Sequence, residues 1–290
     1  MTTRHRDAEI VARTFLDQFG VDWITDVGSA LSQVGLDVRE VEGVSFHGAL
    51  IRVAGFGRGI IAVRGDIREE GRKLFTVAHE VGHYLLPQHG LEPALCRGGE
   101  VQSWSLRLLA REQDANTFAA EILIPREVVL PLAQEPPSFA HINDLASRRR
   151  TSLTATGVRY VELAERRLAL VYSQKGEIAW YRASVEFKRG IPIGQVGRHT
   201  VAGRLFSGGD SPNCFVELPA IEWLYDVNLR EDSRLLEWSR PLPLYDAVLT
   251  LLYIEEPVEA VPAPEDADDR DGEMDPVEFT LERRRWPRKR

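Results

Sequence analysis

Phe75-Thr76-Val77-Ala78-His79-Glu80-Val81-Gly82-His83-Tyr84-Leu85-Leu86 is the stretch on which the reading of this chain turns. Apolar residues at 74, 75, 77, 78, 81, 85 and 86 surround the two histidines at helical spacing, and Pro87 closes the run. On a helix, residues i and i+4 stand one above the other, so His79 and His83 can present imidazole nitrogens to one metal ion. Glu80 adjoins the first of them, placed to take a proton from a water whose pKa a metal has lowered towards about 7. The pattern points to the chemistry of a zinc hydrolase. A core helix with hydrogen-bonded histidines and a solvated glutamate is the competing reading, and the pentapeptide alone does not remove it.

A catalytic zinc takes three protein ligands and keeps one position open, so a third ligand is expected downstream. Arg111 to Pro125 supplies a second helical pattern, with apolar or small residues at 115, 118, 119, 122 and 123. Glu112, Ala115, Ala119 and Ile122 share one face, and the alanines would let two helices approach closely. Glu112 could then reach a metal held on the neighbouring helix. Asp114 is its rival, but lies about 200° round the helix from Glu112, so it should face away if Glu112 faces in. Taken alone, Glu112 would read as an ordinary first-turn glutamate favoured by the helix dipole.

With both segments in view, the chain resembles the ImmA/IrrE family of zinc metallopeptidases, specifically its IrrE-like branch with a C-terminal regulatory domain. The resemblance rests on Phe75 to Leu86, which follows an F-T-x-A-H-E-x-G-H-x-L-L pattern. It rests also on Glu112-x-x-Ala115-Asn116-x-Phe118-Ala119-Ala120-Glu121-x-Leu123-x-Pro125. It implies His79, His83 and Glu112 as zinc ligands, with Mn2+ as an alternative metal in the cell, and Glu80 as general base. It implies an endopeptidase acting on a regulatory protein, an XRE-type helix-turn-helix repressor, cut to release stress-response or mobile-element genes. The alternative is a non-proteolytic DNA-binding or ligand-sensing transcription regulator. His89 and Cys96, in the stretch between the motifs, could approach the metal but read more simply as polar surface.

Composition fits an intracellular protein of more than one part. At 290 residues with 43% hydrophobic content, the chain can bury sizeable cores. Cys96 and Cys214 form no CxxC pair and call for no disulfide framework. No run has the length of a membrane helix, and the polar N-terminus carries no signal region, so a cytoplasmic location and no membrane partner are expected. The net charge of -8, from 36 basic and 44 acidic residues, opposes broad attraction to nucleic acid.

The expected fold class is α+β, in four segments. Residues 1–134 read as a zincin-like metallopeptidase domain of helices plus a small antiparallel sheet. Asp7 to Val34 supplies one or two amphipathic helices with Ile10, Phe15, Phe19, Trp23, Ile24, Val27 and Leu31 as apolar positions. Strand-like runs follow at Leu36 to Val41, Ser45 to Val53 and Gly59 to Val63. Arg68 to Leu86 is the helix of the histidines, Trp104 to Leu123 that of Glu112, and Pro125 to Leu132 a capping turn. A hairpin around Gly55 to Ile61 reads equally as an edge that holds extended substrate or as scaffold.

Residues 135–167 read as a helix-turn-helix-like module, with Arg148, Arg149 and Arg150 at the turn. The triplet could meet phosphates, although the overall acidity makes a solvated or ion-paired role the better reading and DNA binding the weaker one. Residues 168–256 turn to β texture at Leu168 to Tyr172, Glu177 to Ala183, Cys214 to Leu218 and Leu244 to Ile254, with Trp223 and Trp238 as core bulk. This segment reads as a C-terminal α+β regulatory or sensor domain, GAF-like by analogy of layout. Residues 257–290, acidic and then basic, read as a disordered tail or a segment that folds back over the site.

Overall fold

A computed structural model of the protein describes residues 3–20, 22–53, 58–86, 95–96, 106–225 and 232–255. The expected tail and His89 lie outside these residues, as does most of the stretch between the two motifs.

Helix α1, Thr3–Phe19, buries Ala8, Ala12, Phe15 and Leu16, an i, i+4, i+7, i+8 stripe. Ile10 is not part of it and stands 53% exposed, because it lies about 200° round the helix from Ala8. After the short helix α2, Val27–Gln33, come strands β1 (Leu36–Val41), β2 (Gly48–Val53) and β3 (Arg58–Arg64). A two-residue strand β4, Leu95–Cys96, completes the sheet, in the order β1-β3-β2-β4. β2 runs antiparallel to both β3 and β4, but β1 runs parallel to β3, so the sheet is mixed rather than antiparallel. The connection through β2 lets β1 and β3 share direction, which strand-length runs punctuated by glycine do not reveal. The described part of the Gly55 to Ile61 hairpin belongs to β3, which is paired on both sides and is therefore no edge.

Helix α3, Glu70–Leu85, leaves β3 and packs on β2 and β3. Helix α4, Leu106–Leu123, packs between α3 and α1. Trp23 donates its indole N–H to the Ile122 carbonyl at 2.9 Å, fastening the α1–α2 connection to α4. Pro125 to Leu132, expected as a capping turn, lies within a true helix, α5 (Arg126–Gln134), with Pro125 as its N-cap.

Helices α6, Phe139–Arg149, and α7, Leu153–Leu163, follow. Ser138 and Ser152 cap them by accepting the Ala140 and Ala155 N–H groups, each at 3.0 Å. Arg150, at φ 52°, ends α6 in the left-handed region. The arginine triplet is not a phosphate-facing cluster. Arg149 is buried and donates to the carbonyls of Leu123 and Ile122, at 2.7 and 3.3 Å. Arg150 donates to the Ile24 carbonyl at 2.7 Å and pairs with Glu70. Arg148 pairs with Asp144 on its own helix at 2.5 Å. The α6–α7 turn abuts the start of α3, where a Cβ on Gly71 would lie 3.0 Å from the Arg150 carbonyl oxygen. Gly157 packs on Leu170 of the next sheet, so α7 is held between two layers instead of being offered to a groove.

That sheet holds β5 (Arg167–Gln174), β6 (Glu177–Ala183), β7 (Val216–Pro219), β8 (Arg234–Leu242) and β9 (Ala247–Ile254), all antiparallel, in the order β6-β5-β9-β8-β7. One face, with Leu168, Leu170, Leu249 and Leu251, joins the core of the first 164 residues. The other, with Ala169, Val171, Val248 and Leu252, joins a second core around Trp223, Phe187 and Leu235. Helix α8, Val201–Phe206, packs on β8 and β9. Trp238 instead contacts the rings of Phe139 and Phe215, at 5.7 and 5.5 Å, on the side facing α6. Strand β9 begins at Ala247; Leu244, expected inside it, is 94% exposed in the turn before.

β8 carries no apolar alternation because two of its three inward residues are polar. Glu237, fully buried, accepts Ala202 N and Ser239 Oγ on one oxygen, both at 2.7 Å. Its other oxygen accepts Val201 N at 2.9 Å and Trp223 Nε1 at 2.8 Å. The carboxylate thus meets the first N–H groups of α8 from across the sheet.

Candidate metal centre

The site begins with how closely α3 and α4 cross. Gly82 faces Ala115, and a Cβ added there would lie 3.2 Å from the Ala115 Cα and from the Phe118 ring. With no side chain on one helix and a methyl on the other, the backbones approach, and Glu112, almost a turn before Ala115, comes over the two histidines. Its oxygens stand 3.2 Å from His79 Nε2 and 3.3 Å from His83 Nε2, and the two Nε2 atoms are 3.0 Å apart. Such separations suit donors on a tetrahedral zinc, which sit about 2.1 Å from the ion and hence about 3.4 Å from one another. Among the described residues, these three form the group of His, Cys, Asp and Glu side chains that could hold a metal ion. Both histidines are buried, while the Glu112 side chain is 40% exposed, which opens the group to solvent on one side.

The electrostatics fit a cation there. Burial by itself would disfavour the His79 imidazolium, but the hydrogen bond to Glu112 and the charges of Glu80 and Glu112 outweigh it and raise the pKa. Burial likewise works to raise the Glu112 carboxyl, yet its hydrogen bonds to His79 and His83 hold it far below the usual carboxylate range. Two imidazole Nε2 atoms and a carboxylate turned towards one another offer lone pairs that a divalent metal satisfies more fully than a proton.

Glu80 is wholly buried on α3, beside the first strand residue of β2. Gly48 makes room for it, since a Cβ there would overlap Thr76 Cγ2 and lie 2.9 Å from Glu80 Oε1. Asn116, one turn after Glu112, accepts a hydrogen bond from His79 Nδ1 at 2.9 Å, which leaves Nε2 facing the site. Arg52 of β2 donates to the His83 and Tyr84 carbonyls, at 2.6 and 3.2 Å, at the end of α3 where carbonyls lack helical partners.

Of the four residues singled out from sequence, His79, His83 and Glu112 come together, and Glu80 follows His79 on α3, near enough for its charge to act on the His79 ring. Asp114 is buried but stands outside the group, as its angle on the helix requires. Cys96 belongs to β4, where its main chain pairs with Gly48, and His89 lies outside the described residues. Asn116 was not singled out from sequence, although its place at i+4 from Glu112 was a signal that could have found it. Gly48 and Arg52 carried no signal, because only the packing of β2 against α3 gives them a task.

The comparisons with known proteins agree with this geometry. Residues 32–160 match the family model described as the IrrE N-terminal-like domain of the peptidase M78 group. This part of the chain is thus similar to an IrrE N-terminal-like domain. That domain belongs to a metallopeptidase family, and the group His79, His83 and Glu112 that could hold a metal ion lies within the matched residues. The matched span takes in β1 to α7 and so includes the whole candidate centre. Among solved structures, a Mycobacterium tuberculosis transcriptional regulator is similar in fold, with a TM-score of 0.50 at 14% identity. The match covers 86% of this chain and 76% of that one. Among curated proteins nothing matches the chain.

Proposed function

We propose that the chain is a zinc-dependent endopeptidase that cuts a protein controlling transcription. The observation that carries this is the convergence of His79, His83 and Glu112, with ligand atoms all within 4.8 Å of one another, next to a wholly buried Glu80. In this reading the three are the ligands, and two imidazoles with one carboxylate favour zinc, with manganese as the substitute. Zinc bound there supplies a Lewis acid that polarises a peptide carbonyl and acidifies a water. Glu80, buried beside the ligands, would be the residue that takes up a proton and gives it to the departing amine. Asn116 keeps the His79 ring turned so that Nε2 faces inward, and Gly48 keeps the Glu80 seat open.

The IrrE-like domain and a structural relative that is a transcriptional regulator support a regulatory substrate, and the family resemblance names an XRE-type repressor. Residues 1–134 would carry the chemistry and 135–167 the helical link. Residues 168–256, with the second core on the far face of their sheet, would act as a regulatory module. The commitment of Arg149 and Arg150 to carbonyls and to Glu70 leaves the DNA-binding alternative without its expected contacts.

The test is incubation of the zinc-loaded full chain with the XRE-type repressor encoded beside its gene. Glu80→Gln should keep its zinc, measured by metal analysis, and slow cleavage by about 100- to 10,000-fold, the usual worth of general acid–base catalysis. Cleavage retained by Glu80→Gln, or surviving chelation, overturns the mechanism.

A further inference from the structure

A cleft of about 1620 Å3 runs between the metallopeptidase helices and the C-terminal sheet. One end is walled by Phe75 of α3 and by Asn116 and Ala120 of α4. Phe75 is one turn before His79, and Asn116 is bonded to His79, so the cleft begins within a helical turn of the candidate centre. Its side is α7, through Ala155, Val158 and Glu162, and its far end is Arg182 of β6 with Val185 and Tyr245. The volume exceeds the roughly 300–1,000 Å3 typical of small-molecule sites and suits a stretch of polypeptide.

The lining has a distinct chemistry. Phe75, Val185 and Tyr245 are 36%, 80% and 49% exposed, which leaves large apolar side chains uncovered along the cleft. The half bounded by α7 and the C-terminal module carries three carboxylates, Glu162, Glu165 and Glu186. Two guanidiniums share that half: Arg159 is joined to the buried Glu121, and Arg182, which keeps its charge, lies over the Trp180 ring, so the three carboxylates outnumber them. That half is therefore acidic. Partial desolvation raises the Glu162 carboxyl pKa against the opposing pull of Arg159 and Arg182, although the residue still reaches solvent, and a cation brought by a partner would favour its ionised form. β6 is also the outermost strand of its sheet, bridged on its outer edge by Gln195 at Glu177.

We propose that this cleft docks the protein substrate, taking a segment that sets apolar side chains along Phe75, Val185 and Tyr245 and a lysine or arginine against Glu162 and Glu165. The inference rests on the proteolytic reading and names the recognition element of the substrate. Discrimination would then lie in the junction of the two parts of the molecule, at a distance from the bond that is cut.

The test uses the zinc-loaded full chain carrying Glu80→Gln and a library of short random-sequence peptides. The selected peptides should be enriched in lysine or arginine beside apolar residues. Adding Glu162→Lys and Val185→Glu, both outside the core, should weaken their binding at least about tenfold, read by fluorescence anisotropy, with zinc content unchanged. Selected peptides that are acidic, or that bind the altered cleft as tightly as before, overturn the proposal. The two readings fail separately. Peptides bound through Glu162 but never cut by the zinc-loaded parent chain would remove proteolysis and support the docking site. A repressor cut at an undiminished rate by a chain carrying Glu162→Lys and Val185→Glu with Glu80 intact would remove the docking site and leave proteolysis standing.

Discussion

Two fully formed polar clusters sit in apolar surroundings in this molecule, and they differ in what completes them. At Glu237, four donors drawn from α8, Trp223 and Ser239 meet the two oxygens of one carboxylate, so the cluster closes on itself. At the crossing of α3 and α4, two imidazoles and a carboxylate direct their ligand atoms at one another, and a cation is the natural centre of that arrangement. A buried carboxylate surrounded by donors holds a fold together. One surrounded by other ligands holds something else. Both cost desolvation, and the pattern of partners, rather than burial, separates structure from chemistry.

The largest expected effect that tests this contrast is Glu237→Ala. It strands the Val201, Ala202 and Trp223 N–H groups in the second core, at about 1–3 kcal/mol for each buried donor left without a partner. Urea unfolding should therefore register a loss of at least about 3 kcal/mol, while zinc content per folded chain stays the same. A fall in zinc binding would join the two clusters and break the comparison.

Asn116→Ala acts on the other cluster without removing a ligand. Loss of the bond to His79 Nδ1 should weaken zinc affinity by about 10- to 100-fold, measured by competition with a chelating dye. Unchanged affinity would mean that the His79 ring is held by packing alone. Gly48→Ala is a smaller, steric test. The new methyl presses on Thr76 and Glu80, so stability should fall by about 1–3 kcal/mol and cleavage should slow, with zinc retained. Full activity in that variant would show that Glu80 has room to move.

The two regions also differ in how much of them the sequence discloses. α3 and α4 are legible because their apolar residues recur at the helical period and because the histidines and Glu112 stand at offsets that a helix turns into a shared face. The centre is accordingly legible in its four leading residues. β8 is not, because its inward positions include Glu237 and Ser239, polar residues whose partners lie on another element. The arginine triplet is legible in part. The ion-paired role expected of it holds for Arg148 with Asp144 and Arg150 with Glu70, whereas the burial of Arg149 against the Leu123 carbonyl was hidden. The parallel pairing of β1 with β3 was hidden as well, since strand direction is set by the path of the connection and not by composition.

By itself the sequence determined the local geometry: a helix that stacks His79 on His83, a second helix that puts Glu112 and Asn116 on one face, and strand-length runs between glycines. These follow from the periodicity of the backbone, which acts over a few residues. Only the tertiary structure decided that Gly82 meets Ala115 and brings Glu112 over the histidines, that Gly48 seats Glu80, and that a cleft joins this centre to the C-terminal sheet. Those contacts link residues far apart in the chain, and close packing, which leaves few choices once every element is placed, selects them.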